Sequence, residues 1–437
     1  MQKSLFPLSF YRLSSFEAPA RASLQRRYAP LMHDAPGLAR LVSYVGNKKV
    51  PGLRLYRYKE AFSVALVRYF LERWKNDLPQ DAVVFDPFSG MGTTALTTMW
   101  EGLEGWGVDR LPVAVAVARA LAALPQLEPG SLQATFERLQ PQVSQLPPAP
   151  IAEDVRIMGM AFPPDVLARL RRWKTAIDRL DEPLHTVFLL LFFAILEPCS
   201  YTAKDGQFLR LKPDKVVADP DEALAGKVRE AEEDVTYFAQ HPPAGKARFL
   251  CGDARALEEI AFPRSPSLVI TSPPYANRYD YTRTYALELC FHFVKNFDEM
   301  RQLRHSILRS HIEARVGKEE LSPHPAVSEI EAALREKVLN NPRIPAMLKA
   351  YFIDMRRVIA GLSNLMQPDG RVVMVVDNVR FEGEMVPVDL ILSDMASQAG
   401  FAVEEILVAR YKGNSSQQMK KYGRVPVRES VLIWRKM

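Results

Sequence analysis

The run Ala82-Val83-Val84-Phe85 passes directly into Asp86-Pro87-Phe88-Ser89-Gly90-Met91-Gly92-Thr93-Thr94 and then into a helix from Ala95. A buried strand, a glycine turn and a helix in that order open a doubly wound α/β sheet. The glycines let the backbone approach a ligand closely, and the helix start offers amide N–H groups that have no partner inside the helix. A phosphate ligand does not suit this loop. It has no lysine of the GKT/S kind, and Asp86 puts a carboxylate where an anion would be repelled. A nucleotide-like cofactor carrying a positive ammonium group fits better.

Further units of the same kind follow. Gly105-Trp106-Gly107-Val108-Asp109 reads as a second strand ending in an acid, followed by an Ala-rich helix from Val113 to Leu121. An acid at this place either accepts ribose hydroxyls or caps the next helix. Ala247 to Cys251 leads into Gly252-Asp253-Ala254-Arg255, where Asp253 has the same two options, an adenine amino group or a helix cap. Ser267-Leu268-Val269-Ile270 then runs into Thr271-Ser272-Pro273-Pro274-Tyr275. Proline gives no N–H to a ladder and holds the residue before it extended, so this strand ends in a stiff loop at its carboxyl end. A hydroxyl, fixed carbonyls and an aromatic face suit an exocyclic amino group on a planar base. Arg371 to Val376 reads as a fifth buried strand, and Phe401 to Val408 with Ser430 to Trp434 as a final strand pair.

Two long segments interrupt this pattern. Residues 125–245 begin with a Pro/Gln-rich linker, Pro125 to Pro150, and continue as helices: a basic amphipathic one from Pro164 to Leu180 and an apolar one from Leu184 to Leu196. Tyr201 to Lys212 reads as a loop mixing aromatics with cations, including Arg210 and Lys212. Residues 290–345 form a second basic insertion carrying Arg301, Arg304, His305, Arg309, His311, Arg315 and Lys318, preceded by Arg278 and Tyr279. Residues 1–50 form a basic arm with Arg12, Arg21, Arg26, Arg27, Lys48 and Lys49, suited to a phosphate backbone or to lying over the domain. Before the first strand, Tyr56-Arg57-Tyr58-Lys59-Glu60-Ala61-Phe62-Ser63 precedes an amphipathic helix from Val64 to Trp74, with Ser63 as its expected N-cap.

The net charge of +6 over 437 residues permits a polyanionic partner. Cys199, Cys251 and Cys290 lack CxxC or zinc spacing, and His305 and His311 have no acid or thiol at ligand distance in sequence, so no metal is expected. The longest apolar run, Val187 to Leu196, is short of a membrane span, so no membrane partner is expected either. An intracellular, cytoplasmic and nucleoid-associated setting is the corresponding expectation.

With these motifs in hand, the chain resembles the amino-methylating DNA methyltransferases of the cytosine-N4 type. The likeness rests on DPFSGMGTT, on Asp109 and Asp253, on TSPPY, on YRYKEAF and on the terminal strand pair, and covers roughly 250 of the 437 residues. It implies a Rossmann-like α/β sheet with a C-terminal antiparallel pair and two largely helical insertions. The catalytic domain would comprise residues 51–124 and 246–437. Residues 125–245 would be the candidate target-recognition region, and 290–345 a candidate DNA contact. The implied cofactor is S-adenosyl-L-methionine. Its site would comprise Lys59, Phe62, Asp86, Pro87, Phe88, Ser89, Gly90, Gly92, Thr93, Asp109, Arg110, Asp253 and Ala254. Within it, Asp86 would lie near the methionine amino end, Asp109 at the ribose and Asp253 at the adenine, with Phe62 and Lys59 closing the methionine end. Ser272, Pro273, Pro274 and Tyr275 would hold the target base, and Arg210, Lys212, Arg278, Tyr279, Arg304 and Arg309 would contact DNA. Double-stranded DNA is the implied substrate, with a cognate restriction endonuclease system as a candidate companion. An adenine-N6 or RNA-directed enzyme, or a silent DNA-binding subunit on the same fold, are the alternatives. One departure is plain: the cofactor motif precedes the catalytic motif, the reverse of the common N4 order.

Overall fold

The computed structural model describes residues 18–59, 61–205, 208–314, 317, 322–413, 423 and 425–437. Arg12, Glu60, Arg315 and Lys318, all singled out above, lie outside the described residues, as does most of the Lys/Gly/Ser-rich loop between Tyr411 and Arg424.

The strands are β1 (Met32–Asp34), β2 (Val83–Asp86), β3 (Glu104–Asp109), β4 (Thr202–Asp205), β5 (Phe208–Leu211), β6 (Lys246–Cys251), β7 (Leu268–Thr271), β8 (Arg371–Asp377), β9 (Val379–Phe381), β10 (Glu384–Val386), β11 (Phe401–Lys412) and β12 (Val427–Lys436). Eight of them form one sheet in the order β1-β11-β12-β8-β7-β2-β3-β6. From β6 to β8 the neighbours run parallel, whereas β12 is antiparallel to both β8 and β11. The chain moves outward from β2 through β3 to β6, then returns to place β7 on the other side of β2. That reversal opens a crevice at the carboxyl ends of β2 and β7, where open α/β sheets bind ligands.

Every residue of β2 and β7 is buried, because helices cover both faces of the parallel half. Alternation along β2 divides the core. Val83 and Phe85 pack in the cluster of the helices Ile344–Leu365 and Val388–Gln398, while Val84 packs with the helix Val64–Arg73. Each such buried side chain contributes roughly 1.5–3 kcal/mol.

The first insertion is part of the same core. Leu132, Phe136, Trp173, Phe188 and Leu224 share one apolar cluster with Val113, Val117 and Leu121 of the helix Pro112–Ala123, and Trp173 stacks on Phe136 at 5.4 Å. Two sequence expectations are corrected here. The segment read as a linker holds a helix, Ser131–Leu139, whose Leu132, Thr135, Phe136 and Leu139 fall on one buried face. The segment read as a loop is the β4–β5 hairpin. Lys204 anchors this hairpin: its ammonium is buried 2.5 Å from the Glu288 carboxylate and sits over the Tyr56 and Tyr285 rings. Ser63 is not a side-chain cap, since its hydroxyl donates to the Leu41 carbonyl. Asn47 Oδ1 instead accepts the Val64 N–H at 2.9 Å.

The N-terminal helix Pro19–Tyr28 packs into the fold through Leu24 and Tyr28. Arg21 is buried, with Glu384 at 3.0 Å, and Arg27 pairs with Asp394 at 2.8 Å. Those two cations are used within the fold.

Candidate active site

Two cavities meet at the Ser272-Pro273-Pro274 loop after β7. Pro87, Phe88, Gly90, Asp109, Arg110, Asp253, Ala254, Ser272 and Pro274 line the first, joined by Tyr58, Leu111, Tyr281 and Leu308. Ser272, Pro273 and Tyr275 line the second, with Phe62, Tyr44, Tyr281, Arg410, Lys412 and Glu429. Ser272 and Tyr281 belong to both walls.

The first cavity has the form of a cradle. Gly90 (φ 51°) and Gly92 (φ 90°) take left-handed backbone. A Cβ on Gly90 would stand 3.0 Å from the Tyr58 ring, and one on Gly92 would stand 2.7 Å from Phe249. Asp109 fixes the turn: one carboxylate oxygen accepts Gly90 N–H and the other Leu111 N–H, both at 2.8 Å. Burial pushes its carboxyl up to about 6 in spite of those bonds. The hydroxyls of Ser89 and Thr93 are buried and have no partner among the described residues. Asp253 is held by Arg255, whose guanidinium contacts both its oxygens (2.6–3.1 Å) and also reaches Asp354 and the Ser306 carbonyl. Burial works against the Asp253 charge, but Arg255 outweighs it and holds the carboxyl below the usual range.

Asp86 lies behind the wall, since it lines neither cavity. Its Oδ1 accepts Phe88 N–H (3.0 Å) and the Thr271 hydroxyl (2.6 Å), and its Oδ2 lies 3.1 Å from Thr94 Oγ1. It thus ties the glycine loop after β2 to the end of β7. Burial raises its carboxyl to about 7. Lys59 lines neither cavity, and its backbone N–H donates to Tyr285 Oη. Phe62 lies on the second cavity, Ser89 sits with its amide on the Val108 carbonyl, and Gly92 and Thr93 form the turn and the first helical residue.

In the second cavity, Ser272 Oγ donates to the Val375 carbonyl of β8 at 3.1 Å. Its single hydroxyl hydrogen is thereby used, which leaves the oxygen lone pairs as acceptors. Tyr275 Oη is 3.4 Å from Glu429 Oε1.

A third concavity, a groove of about 1040 Å³, runs between the two insertions. Arg156, Arg283, Arg301, Arg304, His305 and Arg343 line it, with Phe208 and Phe297 exposed at its rim; Glu313 is the single lining carboxylate among the described residues. Arg210 and Lys212 are exposed on the adjoining β4–β5 hairpin. Three sequence candidates for DNA contact are placed otherwise. Tyr279 is 1% exposed and packs against Tyr281. Arg309 binds Asp354, a fully buried carboxylate that needs cations around it. Arg278 is half-buried over the Phe381 ring. Arg304 lines the groove but is committed to Asp280 and Glu313.

Residues not foreseen from sequence are Tyr58, Tyr281, Arg410, Lys412 and Glu429. The charged pair Arg428-Glu429, just ahead of the apolar run Val431 to Trp434, was the available signal for the last group.

Among the described residues, no group of His, Cys, Asp and Glu could hold a metal, and no helix is long and apolar enough to cross a membrane. An open α/β sheet with a glycine cradle at its switch point and an antiparallel strand pair at its far edge defines a Rossmann-like, S-adenosylmethionine-dependent methyltransferase. The relatives give the family. The chain is 33% identical over 456 residues to the type II methyltransferase M.AvaI of Nostoc sp. (strain PCC 7120 / SAG 25.82 / UTEX 2576), covering 95% of this chain and 92% of that protein. It is 30% identical over 475 residues to the type II methyltransferase M.BsoBI of Geobacillus stearothermophilus, with 95% and 92% covered. To the type II methyltransferase M.MvaI of Kocuria varians it is 21% identical over 375 residues, with 80% and 82% covered. No family model matches the chain. This protein belongs to the type II methyltransferases and is an enzyme.

Proposed function

We propose that this enzyme transfers a methyl group from S-adenosyl-L-methionine to the N4 amino group of cytosine in double-stranded DNA, after the base has been turned out of the helix. The observation that carries the base assignment is Ser272. With its hydrogen committed to Val375, the hydroxyl is an acceptor, placed where the two cavities join.

The first cavity suits the cofactor. Asp109 and Asp253 supply carboxylate acceptors for hydroxyl and amino groups, Phe88, Leu111 and Leu308 supply an apolar wall for a flat ring, and the glycine turn leaves room. When bound there, S-adenosyl-L-methionine supplies an electrophilic methyl group on sulfur. The second cavity suits the base, with Tyr275 as a stacking face. Ser272 Oγ and the Pro273 carbonyl accept the two amino hydrogens and turn the nitrogen lone pair out of conjugation with the ring. What remains is orientation: the loop holds the nitrogen in line with the transferred group, and no covalent bond from the protein to the base is needed. The base must leave the duplex to reach this depth, at a cost of a few kcal/mol.

The groove between the insertions suits the duplex. Arg156 and Arg343 have no ion-pair partner among the described residues, which leaves their charge for phosphates. Mass spectrometry of nucleosides from DNA treated with the enzyme and cofactor tests the proposal. N4-methylcytosine is expected. N6-methyladenine would overturn the base, and label in RNA but not in DNA would overturn the substrate.

A further inference from the structure

The second cavity has a wall that the catalytic loop does not explain. Glu429 of β12 is 2% exposed, and both its oxygens are occupied by cations from β11: Oε1 accepts from Lys412 Nζ at 2.6 Å, and Oε2 accepts from Arg410 Nε. Tyr275 joins the assembly through its hydroxyl, and Lys412 Nζ stands 5.9 Å from the centre of the Tyr275 ring. A base stacked on that ring therefore lies near Lys412, and Arg410 lines the same cavity.

Their donors are not exhausted. Lys412 uses two of its three N–H groups, on Glu429 and on Asp377 at 3.2 Å. Arg410 uses only Nε, so both terminal NH2 groups have no partner among the described residues. A carboxylate holding two cations with donors to spare, on the wall of a cavity, is more than strand pairing requires.

We infer that Arg410 and Lys412, positioned by Glu429, read the ring edge of the target base and select cytosine against adenine. This rests on the cytosine-N4 reading above. Beside its amino group cytosine carries two acceptors in succession, N3 and O2. Adenine carries N1 and then a C–H. With either amino group at Ser272, the first acceptor meets a donor. The second donor meets O2 of cytosine, but only carbon and hydrogen of adenine. A donor that loses water and gains no acceptor is penalised, so a site built around it rejects the base that lacks the oxygen. Arg410 and Lys412 remain about one-third exposed, at 37% and 29%, which softens that penalty. The expected discrimination from this wall is about 10–100-fold. Asp377 sits beside the pair with Oδ1 buried and unpartnered among the described residues. Burial, aided by the Glu429 charge against the pull of Lys412, raises its carboxyl to about 7, so the wall does not add up to an excess of negative charge that would quench its donors.

The test uses the full chain and a duplex that the wild type methylates. Lys412→Met and Arg410→Met are compared with wild type by single-turnover methyl transfer, by calorimetric cofactor affinity, and by affinity for the duplex and for the same duplex with an abasic target position. Each variant should lose about tenfold or more in transfer rate and in affinity for the cytosine duplex. Each should bind the abasic duplex and the cofactor within about twofold of wild type, and Lys412→Arg, which keeps donors on Glu429, should recover most of the rate. Unchanged rates would overturn the inference. So would an equal loss on cytosine and abasic duplexes, since a phosphate contact or a damaged fold would affect both alike. N6-methyladenine as the wild-type product would overturn the cytosine-N4 reading itself, and that failure is distinguishable because it shows without any variant.

Discussion

The first cavity rises from the ends of parallel strands, and its carboxylates stand apart: Asp109 on backbone amides, Asp253 on Arg255, Asp86 behind the wall. The second cavity borrows its far wall from the antiparallel strands β11 and β12, where Glu429, Arg410 and Lys412 are packed as one ionic group. The same loop, Ser272 to Tyr275, lines both. The contrast teaches how the sheet divides its labour. Parallel strand ends make a crevice that any doubly wound protein possesses, and glycines with isolated acids fit it to a cofactor. The antiparallel pair adds a chemically particular wall to one side of that crevice, and in the proposed reading that particularity serves the substrate.

If the division holds, damage to one cavity should spare the other. The largest effect is expected for Asp109→Ala, which removes an acceptor for ligand hydroxyls and the anchor of the Gly90 turn. Cofactor affinity should fall about 100-fold, measured by calorimetry, while DNA affinity without cofactor stays within about twofold of wild type. Next comes Tyr275→Ala, which removes the stacking face; turnover should fall about 10–100-fold with cofactor affinity unchanged. Equal collapse of cofactor binding would erase the boundary between the cavities.

Asp86 sharpens the comparison through pH, because it braces both loops. Below about pH 4 folded and unfolded chains both carry its proton. Between about pH 4 and 7 the unfolded chain loses that proton while the folded chain keeps it, so stability falls as pH rises, and it levels off above the folded value of about 7. Asp109 and Asp377, also raised, act in the same direction. Asp86→Asn should remove up to ~1.4 kcal/mol per pH unit of that decline, read from denaturant midpoints between pH 5 and 8. Identical slopes in both proteins would mean that Asp86 ionises normally. The smallest effect is expected in the groove. Arg156→Ser and Arg343→Ser should each weaken DNA binding only a few-fold and reduce its salt dependence by about one ion, with cofactor binding untouched.

How far the sequence reached follows the same divide. The parallel half could be read directly, because buried strands, glycine turns and strand-end acids are local signals. Pro87, Phe88, Gly90, Asp109 and Ser272 are drawn from separate motifs and line one cavity. The antiparallel wall could not, since Lys412 and Glu429 are brought together by strand pairing across a loop and neither sits in a motif. Charge counting misled for the same reason. Arg21, Arg304 and Arg309 look like free cations in sequence, but in the fold each is drawn onto a carboxylate distant along the chain. The hairpin at 202–211 was missed because its stability comes from Lys204 on Glu288, a pair 84 residues apart.

The most direct test of the division into two cavities is a crystal structure of the enzyme with S-adenosylhomocysteine. The adenosine is expected between Asp109 and Asp253, against Phe88 and Leu308, with the sulfur at the Ser272 junction and the cavity of Tyr275, Lys412 and Glu429 left clear for the base. Electron density for the adenosine in that second cavity would contradict the division.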